Sequence, residues 1–237
     1  MTGKLVRLLQ ISFWKQRIKA LLKHRNPVEF VGTTKISGEI QLELLKKEGL
    51  LPDSSVLEIG CGNLHAAVPI VKYLKANNYV GIDPNVWLRK SALKDAAVAN
   101  LMKEKKATFL IVKDFDACKT QRVFDYIFSH SILSHAADWQ LSLFLKNAKK
   151  VLAPGGRILS SIRLAEGNNY GSTGTPNKDD SKDSEWVYPG VSWFTLATVQ
   201  RESSKVGLQV LVKPQFTEYY TQTKPNECHD WLVFWAD

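Results

Sequence analysis

Val56-Leu57-Glu58-Ile59-Gly60-Cys61-Gly62-Asn63, followed by Tyr79-Val80-Gly81-Ile82-Asp83-Pro84, decides the fold of this 237-residue chain. A short apolar run, an acidic residue and two glycines around one small residue, ahead of a helical pattern, spell strand, turn and helix. The glycines let the backbone turn tightly and let a ligand reach the main chain without meeting a Cβ. Asp83 lies 21 residues after Gly62 and ends a second apolar run. A carboxylate so placed can hold the two hydroxyls of a ribose. The pattern is that of a nucleoside-cofactor site.

Working outward, strands are expected at 55–60, 79–83, 108–113, 124–129 and 156–163, and helices at 64–76, 86–104, 138–151 and 193–206. Alternation of this length means a mostly parallel sheet with helices on both faces. Leu208–Lys213 and Trp231–Trp235 add two further strands. Ser37 suits an N-cap for a helix running through Ile40, Leu42, Leu44 and Leu45 to Gly49. The polar stretch from 165 to 190 is read as a loop insertion at the carboxyl edge of the sheet, where ligands bind in open α/β folds. No repeat or linker splits the chain, and the division expected is a helical extension or lid over 1–50 and one domain over 51–237.

Composition narrows the classes. Hydrophobic content of 44% with 23% charged is that of a soluble globular protein. No apolar run approaches a membrane span, and the charge-rich N-terminus does not read as a secretory signal. Three cysteines, one inside the glycine turn, give no disulfide framework, so a reduced, cytoplasmic setting is expected. There is no C-x-x-C pair and no H-E-x-x-H, and no metal site is expected. The net charge of +9 is uneven: residues 1–25 carry seven bases and no acid, which leaves 25 bases against 23 acids in the rest. Ile11, Trp14, Ile18, Leu21 and Leu22 recur there at helical spacing, with the cations interleaved. Such a helix could lie on an anionic membrane surface, pack on its own domain, or cover the site.

A dinucleotide site would want a third glycine in G-x-G-x-x-G, where this chain has His65. Glu58 before Gly60-Cys61-Gly62, then Ile82-Asp83-Pro84-Asn85, Val112-Lys113-Asp114-Phe115 and Val151-Leu152-Ala153-Pro154-Gly155-Gly156-Arg157, resemble in order and spacing the motifs of the class I S-adenosylmethionine-dependent methyltransferases. The resemblance runs from about Val56 to Arg163. Family members usually carry glycine where Leu64 stands. The resemblance implies a three-layer α/β/α Rossmann-like fold, with a seven-stranded, mostly parallel sheet and an antiparallel last strand. It implies S-adenosylmethionine as cofactor. Glu58 would then support the turn and Gly60, Cys61 and Gly62 form it. Asp83 would hold the ribose, Pro84 would pack on the adenine, and Asp114 would accept from its amino group beside Phe115.

The fourth strand ends in Phe128-Ser129-His130-Ser131-Ile132-Leu133-Ser134-His135, which in the family faces the methyl group. Ser129 is placed at the cofactor's edge. No Asp-Pro-Pro-Tyr or Asn-Pro-Pro-Tyr stands there, which weakens a nucleobase or amide-nitrogen acceptor. Histidine titrates near neutrality and can deprotonate a hydroxyl. His130 is the first candidate base; His135 is the second, with structural support as its other reading. His65 reads as structural or as a neighbour of the cofactor, and His24 and His229 carry no signal. Tyr170, Trp186 and Tyr188 suit a planar or sugar-like acceptor, while Trp193 and Phe194 suit the core of the helix they begin. The function expected is O-methylation of a small molecule or of a saccharide or lipid-linked intermediate. The alternatives are an RNA methyltransferase, an NAD-dependent oxidoreductase and a non-catalytic cofactor-binding partner. A near-neutral body speaks against nucleic acid.

Overall fold

Four consecutive buried residues, Val56–Ile59, form β1, the centre of the sheet. A strand buried on both faces reads as a near-continuous apolar run without alternation, and Glu58 is the one polar residue in this one. A computed structural model describes residues 35–170, 191–223 and 229–236. In chain order they form α1 (Lys35–Lys47), β1, α2 (Ala67–Tyr73), β2 (Tyr79–Ile82), α3 (Val86–Ala92), α4 (Ala96–Glu104), β3 (Thr108–Leu110), β4 (Phe124–Ser129), α5 (Asp138–Lys150), β5 (Leu152–Ile162), α6 (Leu196–Lys205), β6 (Gln209–Val212), α7 (Pro214–Thr223) and β7 (Asp230–Trp235). The expected helix over 1–25, together with Trp186 and Tyr188, lies outside the described residues.

The seven strands form one sheet in the order β3-β2-β1-β4-β5-β7-β6. β1 pairs in parallel with β2 and β4, β2 with β3, and β4 with β5. β7 runs antiparallel to both β5 and β6. The order reverses between β1 and β4, so a crevice opens at their carboxyl ends, the place where such sheets bind ligands. One face is covered by a core that includes Leu44, Ile70, Phe216, Tyr220 and Trp231, from α1, α2, α7 and β7. The other face buries Leu141, Phe144, Val199 and Phe234 against α5 and α6. The three layers expected from the sequence are present.

Several boundaries differ from expectation. The helix expected over 86–104 is two helices: Asp95 accepts from the Ala97 and Val98 N–H groups (2.8 and 3.3 Å) and caps α4 afresh. Such a cap contributes about 1 kcal/mol, enough to restart a helix on a new axis. Ser37 lies within α1 rather than at its cap. Gly49, at φ +96, ends that element with a turn in which the Leu50 N–H reaches the Leu45 carbonyl. β5 starts at Leu152, not 156: its pairing to β4 steps from Phe124–Leu152 to Tyr126–Arg157, so Pro154-Gly155-Gly156 is a bulge within the strand. Trp193 and Phe194 do not begin a helix. They form short bridges to Asn169 and Leu164, and Thr195 caps α6 through the Thr198 N–H. No helix among the described residues is long and apolar enough to cross a membrane.

Candidate active site

The turn after β1 is shaped by left-handed backbone at Gly60 (φ +84), Gly62 (φ +43) and Leu64 (φ +65). A side chain at Gly60 is excluded twice, by that φ and by space: a Cβ there would lie 2.2 Å from Ile132 Cδ1. Ile132 belongs to the segment after β4, so that segment rests on the turn. Leu64, where glycine is usual, holds the left-handed conformation with a fully buried side chain. The conformation costs about 1–2 kcal/mol; burying a leucine returns about 1.5–3 kcal/mol. Leucine is therefore tolerated.

Asp83 ends β2 against this turn. Its Oδ2 accepts from the Gly62 N–H (3.0 Å) and its Oδ1 from the Asn85 N–H (2.6 Å). The carboxyl is only 7% exposed. Burial pushes its pKa up, against those two bonds and the charge of Arg89, which hold it down. Each oxygen retains lone-pair capacity for another donor. Among the described residues no ion pair engages it, so its acceptor oxygens fit the donors of a ribose diol.

Glu58 is 4% exposed and accepts from the Tyr79 hydroxyl. Burial, its largest influence, pushes its pKa up to about 8 even though the Tyr79 bond lowers it. Its carboxyl is thus held inside the fold beside the Tyr79 hydroxyl. Burial also pushes the Cys61 thiol up, with the charges of Glu58 and Asp83 adding to it. Pro84 and Asp114 are exposed. Asp114 and Phe115 both adopt left-handed backbone, and the Asp114 carbonyl accepts from Asn147 Nδ2 (3.1 Å). The Phe115 ring meets Phe144 edge-on at 5.7 Å.

At the end of β4, Ser129 is buried and His130 half-buried. The His130 ring stacks on Trp231 (5.4 Å between centroids, 14° apart) and lies 5.3 Å from Tyr220 and 5.1 Å from His229. Ser131, at φ +57, turns the chain and donates its N–H to Ser161 Oγ (2.8 Å). His135 sits in a short 3-10 turn, Leu133–His135, with its N–H on the Ile132 carbonyl. His65 lies in the turn ahead of α2, where its carbonyl would meet a Cβ at Gly38 of α1 at 2.2 Å. Tyr170 packs on Phe194 (5.2 Å) against the core, a placement that argues for structure over substrate contact. Sequence reasoning missed His229 and α7. His229 has no local motif, and only the return of the chain through β7 brings it to His130.

Residues 57–158 match the family described as "Methyltransferase domain". Magnesium protoporphyrin IX methyltransferase from Synechocystis PCC 6803, crystallised with S-adenosylmethionine, superposes with a TM-score of 0.58 at 12% identity, over 86% of this chain and 79% of that one. A DhpI complex gives 0.55 at 15% identity and 99% of both chains. Phosphoethanolamine N-methyltransferase 2 from Haemonchus contortus gives 0.54 at 18% identity, over 82% of this chain and 51% of that one. At such identities these likenesses speak for the fold. Family match, strand order and site together define an enzyme of the methyl-transferring class. Over residues 57–158 the chain is a methyltransferase domain, in agreement with the resemblance to the class I S-adenosylmethionine-dependent methyltransferases.

Proposed function

We propose that this enzyme transfers the methyl group of S-adenosylmethionine to a hydroxyl oxygen of a small molecule, with His130 taking the proton. The observation that carries the reading is the packing of Ile132 on Gly60. It holds the segment that bears His130 against the turn that would bind the cofactor.

When bound, the cofactor supplies a methyl group already activated by a sulfonium charge. The protein's own tasks are to hold, orient and deprotonate. The Asp83 carboxylate would accept from both ribose hydroxyls while the Gly62 and Asn85 N–H groups fix its plane. Gly60, Cys61 and Gly62 would line the approach, with Glu58 keeping the turn in shape from below. Pro84, Asp114 and Phe115 would flank the adenine, and Ser129 the cofactor's edge. The His130 imidazole would take the hydroxyl proton on a ring nitrogen, its plane held by the Trp231 indole. His135 is the second candidate base. A saccharide or lipid-linked saccharide is among the acceptors that this reading admits. Several similar structures are of small-molecule methyltransferases, acting on a porphyrin in one case and on phosphoethanolamine in another.

Calorimetric titration with S-adenosylmethionine, its demethylated product and NAD tests the cofactor half. Binding of the first two, weakened about 100-fold by Asp83→Ala, is expected, since two bonds to a charged group contribute about 1.5–3 kcal/mol each before compensation. Absence of binding overturns the reading. For the base, His130→Gln should leave cofactor binding intact and abolish transfer to hydroxyl acceptors.

A further inference from the structure

At the carboxyl edge of β5, one cation has no counter-charge among the described residues. Arg163 follows the last paired residue of the strand and is half-buried, with its Nε fully buried and without a hydrogen-bond partner. Its guanidinium lies 5.4 Å from the Trp193 ring centre. Among the described residues, neither an ion pair nor a hydrogen bond engages the guanidinium. Desolvating a cation without a counter-charge is costly. A cation–π contact offsets only about 1–2 kcal/mol of that.

The sheet register places this cation beside the acceptor side of the site. β5 and β7 pair Ser161 with Trp231 and Ile162 with Asp230. Arg163 and His229 flank this last pair, and strand alternation directs both to the face that carries Ser161 and Trp231. His229 is 3% exposed and its ring lies 5.1 Å from that of His130. The Trp231 indole, stacked on His130, keeps a buried Nε1 donor without an acceptor. Asp230 alternates to the other face, where its Oδ2 accepts from the Leu164 N–H (2.8 Å). Beside His130, then, stand a second imidazole and an indole, and Arg163 is the next residue of β5 after the last pair with β7. The Asp230 carboxylate is turned to the other face.

We propose that Arg163 receives an anionic group of the methyl acceptor, a carboxylate or a phosphate, and so holds the acceptor's reacting atom at His130. Arginine suits this because its planar fork meets either oxyanion with two parallel bonds. The Trp193 ring lies against the guanidinium. The proposal rests on the cofactor reading above and deepens it by naming the charge of the acceptor. Arg163 acts as a binding and positioning residue, not as a base.

Protein loaded with S-adenosylhomocysteine would be titrated with benzoate, phenyl phosphate and neutral benzamide, which share one ring and differ in charge. The wild type is expected to bind one or both anions and to bind benzamide at least about tenfold more weakly. The stronger of the two anions identifies the carboxylate or the phosphate. Arg163→Gln should weaken anion binding about tenfold or more, Arg163→Lys should restore part of it, and both should bind S-adenosylhomocysteine as the wild type does. The proposal is overturned if Arg163→Gln binds the anions unchanged, or if charged and neutral probes bind alike. It is also overturned if the loaded wild type binds neither anion, or if Arg163→Gln loses the cofactor product, which would assign the guanidinium to the cofactor. Failure of the wild type to bind S-adenosylhomocysteine would overturn the underlying cofactor reading and this proposal with it.

Discussion

Glu58 ties stability to pH in the direction opposite to most carboxylates. Its carboxyl is buried in β1 beside the Tyr79 hydroxyl, and burial pushes its pKa from 4.5 up to about 8. Between those values the unfolded chain gives up the proton and the folded chain keeps it. The folded state therefore binds more protons, and stability falls as pH rises through the window, levelling off above about 8. At about 1.36 kcal/mol per unit, a shift of this size is worth at most about 4–5 kcal/mol by linkage. Glu58→Gln keeps the shape and an oxygen to accept from Tyr79, and it cannot ionise. Urea unfolding of both proteins at about pH 5 and pH 8.5 isolates the effect, because Asp83 and Asp230, shifted in the same direction, are present in each. The stability difference between variant and wild type should move in the variant's favour by up to that amount from the lower pH to the higher. Parallel pH profiles for the two proteins would refute the reasoning, whatever constant offset the amide introduces.

Gly60→Ala places a methyl against Ile132 at a left-handed position, so cofactor binding should fall by at least about tenfold and stability by roughly 1–3 kcal/mol. Thermal melting and calorimetry read both, and a variant equal to wild type in each would show that Ile132 yields freely. Full-length protein should float with anionic vesicles, stay behind with zwitterionic ones and come off at high salt, if the bases of residues 1–25 meet a membrane surface. Equal recovery with both kinds of vesicle would end that proposal.

The centre of the fold was legible because its signals are local. β1, the glycine turn and Asp83 are fixed by residues adjacent in sequence, and the strand expected over 124–129 has those bounds in the structure. Errors fell where a local signal had two meanings. Pro154-Gly155-Gly156 reads as a turn, yet a strand interior accepts it as a bulge. The apolar pattern from 86 to 104 reads as one helix, and only the Asp95 cap separates it into two. α7 begins at a proline and carries a weak apolar stripe, so no helix is expected there. His229 and Arg163 could not be found by spacing at all. They stand 66 residues apart, at the facing ends of β5 and β7, and the pairing of β4, β5 and β7 that brings those ends beside His130's strand is tertiary information.

The buried thiol of Cys61 bears on how this protein survives oxidants and alkylating reagents. A cysteine in a ligand-binding turn would ordinarily be its weak point, since only the thiolate reacts. Here the sulfur is pressed close to Gly81, where a Cβ would lie 2.9 Å from it, and burial beside two carboxyl groups keeps it protonated. The exposed Cys118 lies on the 3-10 turn Ala117–Thr120, on the far side of β3 in sequence. Of these two cysteines, reagents should therefore reach Cys118 first, so a fluorophore or spin label could be attached there while the cofactor turn keeps its chemistry intact.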